Sequence, residues 1–262
     1  MTAHSLRFAP IPALLLLAGL ACGQSVPWWE REPLRIIHLL TDYHPAIADS
    51  PAEPAALKAR LGFNAEHLAV MRHRKGLDDQ GFFFASRVAG RVNPDYLKQY
   101  LPEAKARGLR VFIYFNVHWF NHEFARRHPD WVQITEQGRP LQGIYQTGAS
   151  LCVNSRWREW VFQVLRDLCA YPIDGIFYDG PVFFAETCYC RYCREKYRQL
   201  YHAEMPSKRE RRGRAFANLM EFQARSLAEF LRDSRRVIRS IHPAIAFYMN
   251  GGVRGGNWAT GR

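Results

Sequence analysis

Short apolar runs and longer helical segments alternate along this chain, and this alternation constrains the fold more than any other feature. The runs with strand character occupy 34–40, 67–71, 109–117, 173–178 and 244–249. Segments with helical spacing lie between them, at 52–61, 94–107, 157–170 and 222–241. Strands that alternate with helices pair in parallel through right-handed crossovers, so the pattern predicts an α/β fold.

Two architectures have this alternation, the doubly wound sheet and the closed barrel. No Gly-rich phosphate-binding loop follows the first run, which favours a (β/α)8 TIM barrel. Such a barrel needs about 250 residues. Because only five strands are predicted, we expect residues 30–262 to form the N-terminal part of a TIM barrel, about the first five βα units. For the helix at 94–107, Asn93 is the predicted N-cap and Gly108 the predicted end.

The charge of the chain raises the question of a nucleic-acid partner. The formal net charge is +12, but the basic residues of 208–214 and 232–239 are interleaved with acidic and apolar residues at helical spacing. That spacing is typical of solvated helix faces, and no nucleic-acid-binding motif accompanies it. We therefore expect no nucleic-acid partner. The sequence does not predict an oligomeric state.

The N-terminus has the pattern of a secretory leader. Arg7 supplies a positive charge, an apolar run covers 11–20, and the small residues 21–23 suit cleavage before Gln24. The run is too short for a stable membrane span. We predict a signal peptide at 1–23 and a secreted or periplasmic protein. Lipid anchoring at Cys22 is the alternative, although the residues before it depart from the Leu-led motif of lipoproteins.

One carboxylate follows a predicted strand directly. In the segment IDGIFYDGP, the strand ends at Tyr178 and is followed by Asp179 and the turn residues Gly180 and Pro181. Asp179 therefore lies where barrel enzymes keep their catalytic groups, at the C-terminal end of a parallel strand. The alternative is that Asp179 only caps a turn.

Polar and aromatic residues recur at the other predicted strand ends. Glycoside hydrolysis needs two carboxyl groups beside the scissile bond, with hydrogen-bonding groups and aromatic faces that hold the sugar ring. Each residue alone is typical of a structural role, but their recurrence favours a carbohydrate site. The candidate substrate-binding residues are Asp42, His44, His73, Asn116, His118, Trp119, Tyr178 and Asn250.

The cysteines form a separate motif. Cys188, Cys190 and Cys193 have C-x-C-x-x-C spacing, and Cys152 can complete a set of four thiolates for a structural zinc ion. Disulfides are the alternative in an exported chain. Neighbouring C-x-C residues rarely satisfy disulfide geometry with each other, which favours zinc. Cys169, on an apolar helix face, is predicted to be a buried small hydrophobe.

The segment 71–117 resembles the second and third βα units of α-L-fucosidases and of related glycoside-hydrolase-like barrels. Its His73-Arg74 and its spread Asp78, Asp79, Gly81 and Phe82 are similar to the family's HHDGF motif, whose histidines contact sugar hydroxyls. IFYDG at 176–180 resembles the WFDG motif that carries the nucleophile of these enzymes. The resemblance implies that Asp179 is a nucleophile.

The cysteine pattern resembles a different family. LCVNS around Cys152 and CYCRYC at 188–193 are similar to the CPNS and CYCxxC motifs of bacterial β-galactosidases with a structural zinc site. The Asn-Glu pair of that family is absent, because Tyr178-Asp179 stands in its place. The resemblance thus implies zinc ligands without the corresponding catalytic acid.

Together these features predict an exported glycoside hydrolase for oligo- or polysaccharides. Asp179 is the predicted nucleophile of a retaining mechanism, and no cofactor is expected for catalysis. Glu186 is the nearest acid in the following loop, and an acid/base partner on a later strand would lie beyond Arg262. Two alternatives remain open: a non-catalytic carbohydrate-binding or degenerate barrel, and a β-galactosidase-like enzyme.

Overall fold

The computed structural model describes residues 26–38, 50–71, 78–92, 95–144, 148–184 and 187–250. The described residues belong to two compact units, one that ends at residue 32 and one that begins at residue 33. In the first unit, the described part contains the short helix α1 (Trp28–Arg31). The predicted signal peptide at 1–23 lies outside the described residues and stays a prediction.

The second unit consists of alternating strands and helices. In chain order its elements are β1 (Ile36–His38), α2 (Ala52–Arg60), β2 (Ala65–Ala69), α3 (Tyr96–Ala106), β3 (Arg110–Asn116), β4 (Trp119–Asn121), α4 (His122–Arg127), β5 (Gln142–Ile144), β6 (Gly148–Ser150), α5 (Trp157–Leu168), β7 (Gly175–Asp179), α6 (Arg191–Tyr201), α7 (Gly213–Ile241) and β8 (Ala246–Met249).

Five of these strands form one parallel sheet in the order β1-β2-β3-β7-β8. Each strand therefore lies beside the next parallel strand in the chain, as in a barrel wall. A doubly wound sheet would reverse its order at a switch point instead. The α/β prediction and its five parallel strands are confirmed, with strand boundaries that differ from the predicted ones by two residues or fewer.

The helices follow the predicted pattern with two corrections. Asp95, rather than Asn93, is the N-cap of α3, because its carboxylate accepts the N–H of Lys98 at 3.0 Å; Asn93 itself lies outside the described residues. Helix α7 begins at Gly213 instead of residue 222. Of the residues in its first two turns, 213–220, Leu219 alone is buried.

A second, antiparallel sheet was not predicted. Its strands have the order β4-β6-β5, and they lie in the long connection between β3 and β7. Each has only three residues, which is too short for a period-two pattern. Position 148 requires a glycine, because a Cβ atom there would lie 2.3 Å from the indole ring of Trp119.

Helix α5 anchors this connection to the parallel sheet through aromatic packing. The rings of Trp157 and Trp160 stack at 4.7 Å between centroids, and Phe120 and Phe124 pack against them edge-on. All four side chains are buried. Burial of such a side chain contributes about 1.5–3 kcal/mol to folding. In the described part of the chain, no helix has both the length and the apolar character that crossing a membrane requires.

Candidate functional site

Asp179 is the last residue of β7, and its carboxylate accepts three hydrogen bonds from side chains. Tyr114 Oη and Asn116 Nδ2 donate to Oδ2, the latter at 3.1 Å, and Asn250 Nδ2 donates to Oδ1 at 2.6 Å. Tyr114 and Asn116 are two residues apart on β3, so they point to the same face of the sheet. All three partners donate, as an ionised carboxylate requires.

The orientation of the Asn116 side chain is fixed by the chain that follows it. Its Oδ1 accepts the backbone N–H groups of His118 at 3.1 Å and Trp119 at 3.2 Å, so its Nδ2 must face Asp179. Asn116 is buried and lies directly opposite Asp179 in the register of β3 and β7. The local turn after β3 therefore positions a donor for the carboxylate.

His118 binds the main chain of Asp179 rather than its carboxylate. Its Nδ1 lies 3.1 Å from the Asp179 carbonyl oxygen, which can only accept, so Nδ1 carries the proton. Burial lowers the pKa of His118, although the charge of Asp179 and the hydrogen bond to its carbonyl oppose the shift. The imidazole is therefore neutral at neutral pH, and it fixes the backbone that carries Asp179.

Two further histidines face the same side of the sheet. His38 and His67 are register partners on β1 and β2, their Nδ1 atoms are in hydrogen-bond contact, and His67 Nε2 contacts Tyr248 Oη at 2.5 Å. The ring of His67 stacks on Phe177 at 4.2 Å. Burial lowers the pKa of His67 to about 4, with a further contribution from His38. Burial also lowers the pKa of His38, and the charge of Asp179 opposes that shift.

Four residues on this face of the sheet were not among the predicted site residues: His38, His67, Tyr114 and Tyr248. The available clue was the period of two along each strand: Tyr114 precedes Asn116 by two residues, so both point to the face that carries Asp179. The paired histidines could not be found in this way, because β1 has only three residues. Their contact depends on the pairing of β1 with β2.

The predicted substrate-binding residues fall into four groups. Asn116, His118 and Asn250 contact Asp179, as described above. Trp119 is half-buried on β4, with its backbone N–H bonded to Asn116. Tyr178 requires a correction: its side chain is fully buried on the opposite face of β7, and its Oη bonds Ser234 Oγ of α7 at 3.1 Å. Residues outside the described ranges are Asp42, His44, His73 and Glu186.

A second group of carboxylates lies in the loop after β2. Arg127 Nη2 lies 2.5 Å from both Asp78 Oδ1 and Asp79 Oδ1, and Asn121 Nδ2 donates to Asp78 at 2.9 Å. Burial and the hydrogen bond with Asp78 raise the pKa of Asp79 to about 6. Burial opposes ionisation of Asp78, but hydrogen bonds with Asp79, Asn121 and Arg127 hold its pKa below the ordinary value. The two acids are buried and connect this loop to α4.

The four predicted cysteine ligands come together in a buried cluster. The Sγ atoms of Cys152, Cys188, Cys190 and Cys193 all lie within 4.8 Å of one another. Cys152 Sγ is 3.4 Å from Cys193 Sγ and 3.7 Å from Cys190 Sγ. These distances exceed the S–S bond of about 2.05 Å. They are close to the separation of about 3.8 Å that tetrahedral Zn²⁺ imposes on sulfurs at about 2.3 Å.

The surroundings of the cluster also fit a cation. Hydrogen bonds from the other three cysteines, that from Cys152 foremost, strongly lower the pKa of Cys190, whereas burial raises the pKa of Cys152 and Cys193. Buried thiolates need a positive charge, which a bound metal provides. Cys169 lies apart and is buried, and burial raises its pKa to about 12. It is therefore a thiol, in agreement with its predicted apolar role.

Comparison with known proteins supports the resemblance drawn from the sequence. The sequence profile of a family described as "Hypothetical glycosyl hydrolase 6" matches residues 64–180, which include β2, β3 and β7 with Asp179. No curated protein sequence matches the chain.

Solved structures give a broader match to the fold. α-L-Fucosidase isoenzyme 2 from Paenibacillus thiaminolyticus is similar with a TM-score of 0.62 and 23% identity over 86% of this chain. The PgaB (BpsB) glycoside hydrolase domain from Bordetella bronchiseptica has a TM-score of 0.67 and 14% identity over 83%. A β-galactosidase from Rahnella sp. R3 has a TM-score of 0.57 and 17% identity over 78%.

The chain spans 34%, 65% and 33% of these three structures, respectively. It therefore has the fold of part of a glycoside hydrolase TIM barrel. Both families suggested by the motifs, α-L-fucosidases and β-galactosidases, are among the structural neighbours.

Proposed function

We propose that this chain is the nucleophile-bearing part of an exported glycosidase in which Asp179 attacks the anomeric carbon of a sugar. The observation that carries this proposal is the carboxylate at the end of β7, held by Tyr114, Asn116 and Asn250. Active sites of TIM-barrel enzymes lie at this end of the strands. The match to a glycosyl hydrolase family over residues 64–180 supports the same chemistry.

The hydrogen bonds suit a nucleophile. Oδ2 accepts from Tyr114 and Asn116, while Oδ1 accepts one bond from Asn250 among the described residues. A carboxylate oxygen has two acceptor positions, so Oδ1 keeps one lone pair for the anomeric carbon. As the Oδ1–carbon bond forms, the bond from the anomeric carbon to the leaving oxygen breaks.

The leaving oxygen takes its proton from a carboxylic acid, and water then hydrolyses the glycosyl ester with that acid acting as base. This sequence retains the anomeric configuration. Glu186 and acids on later strands of the full protein are the candidates for this second carboxyl group. The three donors assist the second step, because they stabilise the negative charge that returns to Asp179.

The groups around Asp179 suit a neutral sugar. The ring of His38 lies 5.7 Å from the ring of Tyr114, whose hydroxyl donates to Asp179, so an imidazole borders the site. Neutral imidazoles both donate and accept hydrogen bonds, as sugar hydroxyls require. We propose an α-L-fucoside as substrate, because IFYDG and the 71–117 segment resemble α-L-fucosidases.

A β-galactoside is the second candidate. The four-cysteine cluster and its CVNS and CYCRYC motifs resemble those of bacterial β-galactosidases, and a β-galactosidase is among the structural neighbours. Against it, Tyr178-Asp179 replaces the Asn-Glu pair of that family, and Tyr178 is buried away from the site.

We also propose that the cysteine cluster holds a structural zinc ion. Four protein ligands leave no open position for water or substrate, so the metal would supply stability and charge compensation rather than catalysis. It would connect Cys152, before α5, to the segment 188–193 that follows Asp179 in the chain. This connection would limit the movement of the loop after β7.

We also propose that the protein is exported. Arg7, the apolar run 11–20 and the small residues 21–23 support a signal peptide and a secreted or periplasmic location. Expression of the full gene with separation of the culture medium, periplasm and cytoplasm tests this. N-terminal sequencing that begins near Gln24 supports cleavage, and an intact leader in the cytoplasm contradicts it.

The enzymatic proposal is tested with the full-length protein and a panel of aryl glycosides that includes α-L-fucosides and β-galactosides. We expect Asp179→Asn to lower turnover by several orders of magnitude, because the covalent route disappears. Asp233→Asn, which changes a carboxylate on the surface of α7, is the matched control and should keep full activity. Wild-type turnover in Asp179→Asn would contradict the proposal. Sugar binding without turnover in the wild-type protein would identify a carbohydrate-binding barrel instead.

A further inference from the structure

A cavity of about 740 Å³ opens beside the cysteine cluster, between α5, α6 and α7. Its lining includes Asn154, Arg158, Lys196 and Glu229. The four cysteines themselves are buried, with exposures of 5% or less. Among the described residues, Asn154 is the one that lines this cavity and also bonds a cysteine sulfur.

The side-chain amide of Asn154 connects Cys193 to helix α7. Its Nδ2 lies 3.4 Å from Cys193 Sγ and 3.0 Å from Ser226 Oγ. Lys196 Nζ donates to its Oδ1 at 2.9 Å. Ser226 is buried on α7, so the amide is held from two sides.

Lys196 determines which way the amide points. An ammonium group can only donate a hydrogen bond, so the amide oxygen must face Lys196 and the amide nitrogen must face Cys193. A thiolate can only accept, so this is the orientation that a metal-bound sulfur needs. The lysine is itself fixed, because its Nζ lies 2.6 Å from Glu229 Oε2 on α7.

The charges fit the same arrangement. A zinc ion with four thiolates carries a net charge of about −2. The Lys196 ammonium, which also pairs with Glu229, donates to Asn154 next to Cys193, and Ile134 N donates to Cys188 Sγ at 3.4 Å on another side of the cluster. Outer groups of this kind orient metal ligands and alter metal affinity.

We propose that Asn154 is a positioning residue of the metal centre, that it fixes the Cys193 thiolate and covers the cluster on the side of the cavity, and that Lys196 sets its orientation. The proposal rests on the metal site proposed above. It predicts that metal leaves through this cavity when the amide is removed.

The test is the rate at which zinc-loaded full-length protein transfers its metal to a chromophoric chelator. We expect Asn154→Ala to release metal at least about tenfold faster than wild type, in the range found for groups that support metal ligands. Lys196→Met should change the rate in the same direction, because the amide loses its fixed orientation. Gln199→Ala, which removes another amide from the cavity wall, is the matched control and should release metal at the wild-type rate.

The variant Asn154→Asp distinguishes the effect of the hydrogen bond to Cys193 from the effect of a side chain that merely covers the cluster. The carboxylate has nearly the same shape, but it places an acceptor against the thiolate, so it should release metal at least as fast as Asn154→Ala. The absorption spectrum of the Co²⁺-loaded proteins checks that four thiolates still bind. Wild-type rates in both Asn154 variants would overturn this inference alone. A wild-type protein that binds no metal would overturn the metal centre and this inference together.

Discussion

Asn250 donates its side-chain N–H to Oδ1 of Asp179 at 2.6 Å, although the two residues lie 71 positions apart in the chain. The carbonyl oxygen of the same side chain accepts the backbone N–H of Gly180 at 2.7 Å. Because that N–H can only donate, the amide nitrogen must face the carboxylate. The end of β8 therefore fixes the direction of the Asp179 side chain at the end of β7.

This relationship predicts the effect of Asn250→Ala. A hydrogen bond to a charged group is worth about 1.5–3 kcal/mol, so kcat/KM should decrease by about tenfold to a hundredfold while the fold is kept. Steady-state kinetics on the preferred aryl glycoside measure this. Asn218→Ala on α7 is the matched control. Equal kinetics for wild type and Asn250→Ala would show that the contact does not support the reaction.

The histidine pair predicts how stability depends on pH. The pKa of His67 is about 4 in the folded protein, below the ordinary value of 6.5, because the imidazole is buried. Between these values the His67 imidazole binds more protons in the unfolded chain than in the folded protein. The contribution of His67 to the free energy of unfolding therefore decreases as the pH falls from about 6.5 to about 4, and it is constant above that range.

Substitution of the histidine tests this dependence. In His67→Gln, the melting temperature should decrease less between about pH 7.5 and about pH 4.5 than in wild type. Thermal unfolding followed by circular dichroism at several pH values gives the comparison. Parallel curves for the two proteins would mean that His67 does not contribute.

A buried ion pair connects α2 to β2, and we expect its removal to change the stability of the fold. Lys58 Nζ contacts Glu66 Oε2, both side chains are at most 6% exposed, and Lys58 also donates to Tyr100 Oη at 2.9 Å. Removal of one partner leaves a buried charge, so Lys58→Met should lower the free energy of unfolding by about 3–5 kcal/mol.

The double variant Lys58→Met/Glu66→Leu provides the control for that measurement. It removes both charges, and we expect it to recover most of the lost stability, since apolar replacement of a buried pair is often neutral. Urea denaturation measures all three proteins. A double variant as unstable as Lys58→Met would show that packing, rather than charge, explains the loss.

The metal proposal predicts different results for two buried cysteines. Cys188→Ser removes one of the four clustered thiolates, so bound zinc should fall well below one equivalent and the melting temperature should decrease. Cys169→Ser lies outside the cluster and should keep its metal. Elemental analysis and thiol titration under denaturing conditions measure the outcome. Disulfides between the clustered cysteines, without metal, would contradict the site.

The fold was largely predictable because its main strands are apolar and separated by helices. The five parallel strands and Asp179 at the end of β7 follow from that pattern. The three-residue strands β4 to β6 could not be predicted, since three residues do not define a period. Tyr178 was misplaced for a related reason: neighbouring residues of a strand face opposite sides, so Tyr178 and Asp179 cannot both face the site.

Parts of the candidate site depend on contacts between elements that are distant in the chain, so they could not be predicted from the sequence. His38 and His67 are 29 residues apart, and they meet because β1 pairs with β2. The cysteine motif was recognisable because its spacing is local, whereas the Asn154 contact with Cys193 required the packing of α6 beside the start of α5. Motifs of neighbouring residues could thus be recognised in the sequence, whereas contacts between separate elements could not be predicted from it.

Chemical trapping of the glycosyl–enzyme intermediate shows directly whether Asp179 is the nucleophile. The full-length protein would be incubated with an activated 2-deoxy-2-fluoro glycoside of the sugar that it hydrolyses, digested, and mapped by mass spectrometry. We expect a covalent sugar on the peptide that contains Asp179, and no label in Asp179→Asn. A label on a different carboxylate, or turnover with inverted configuration and no labelled peptide, would contradict the assignment of Asp179 as the nucleophile.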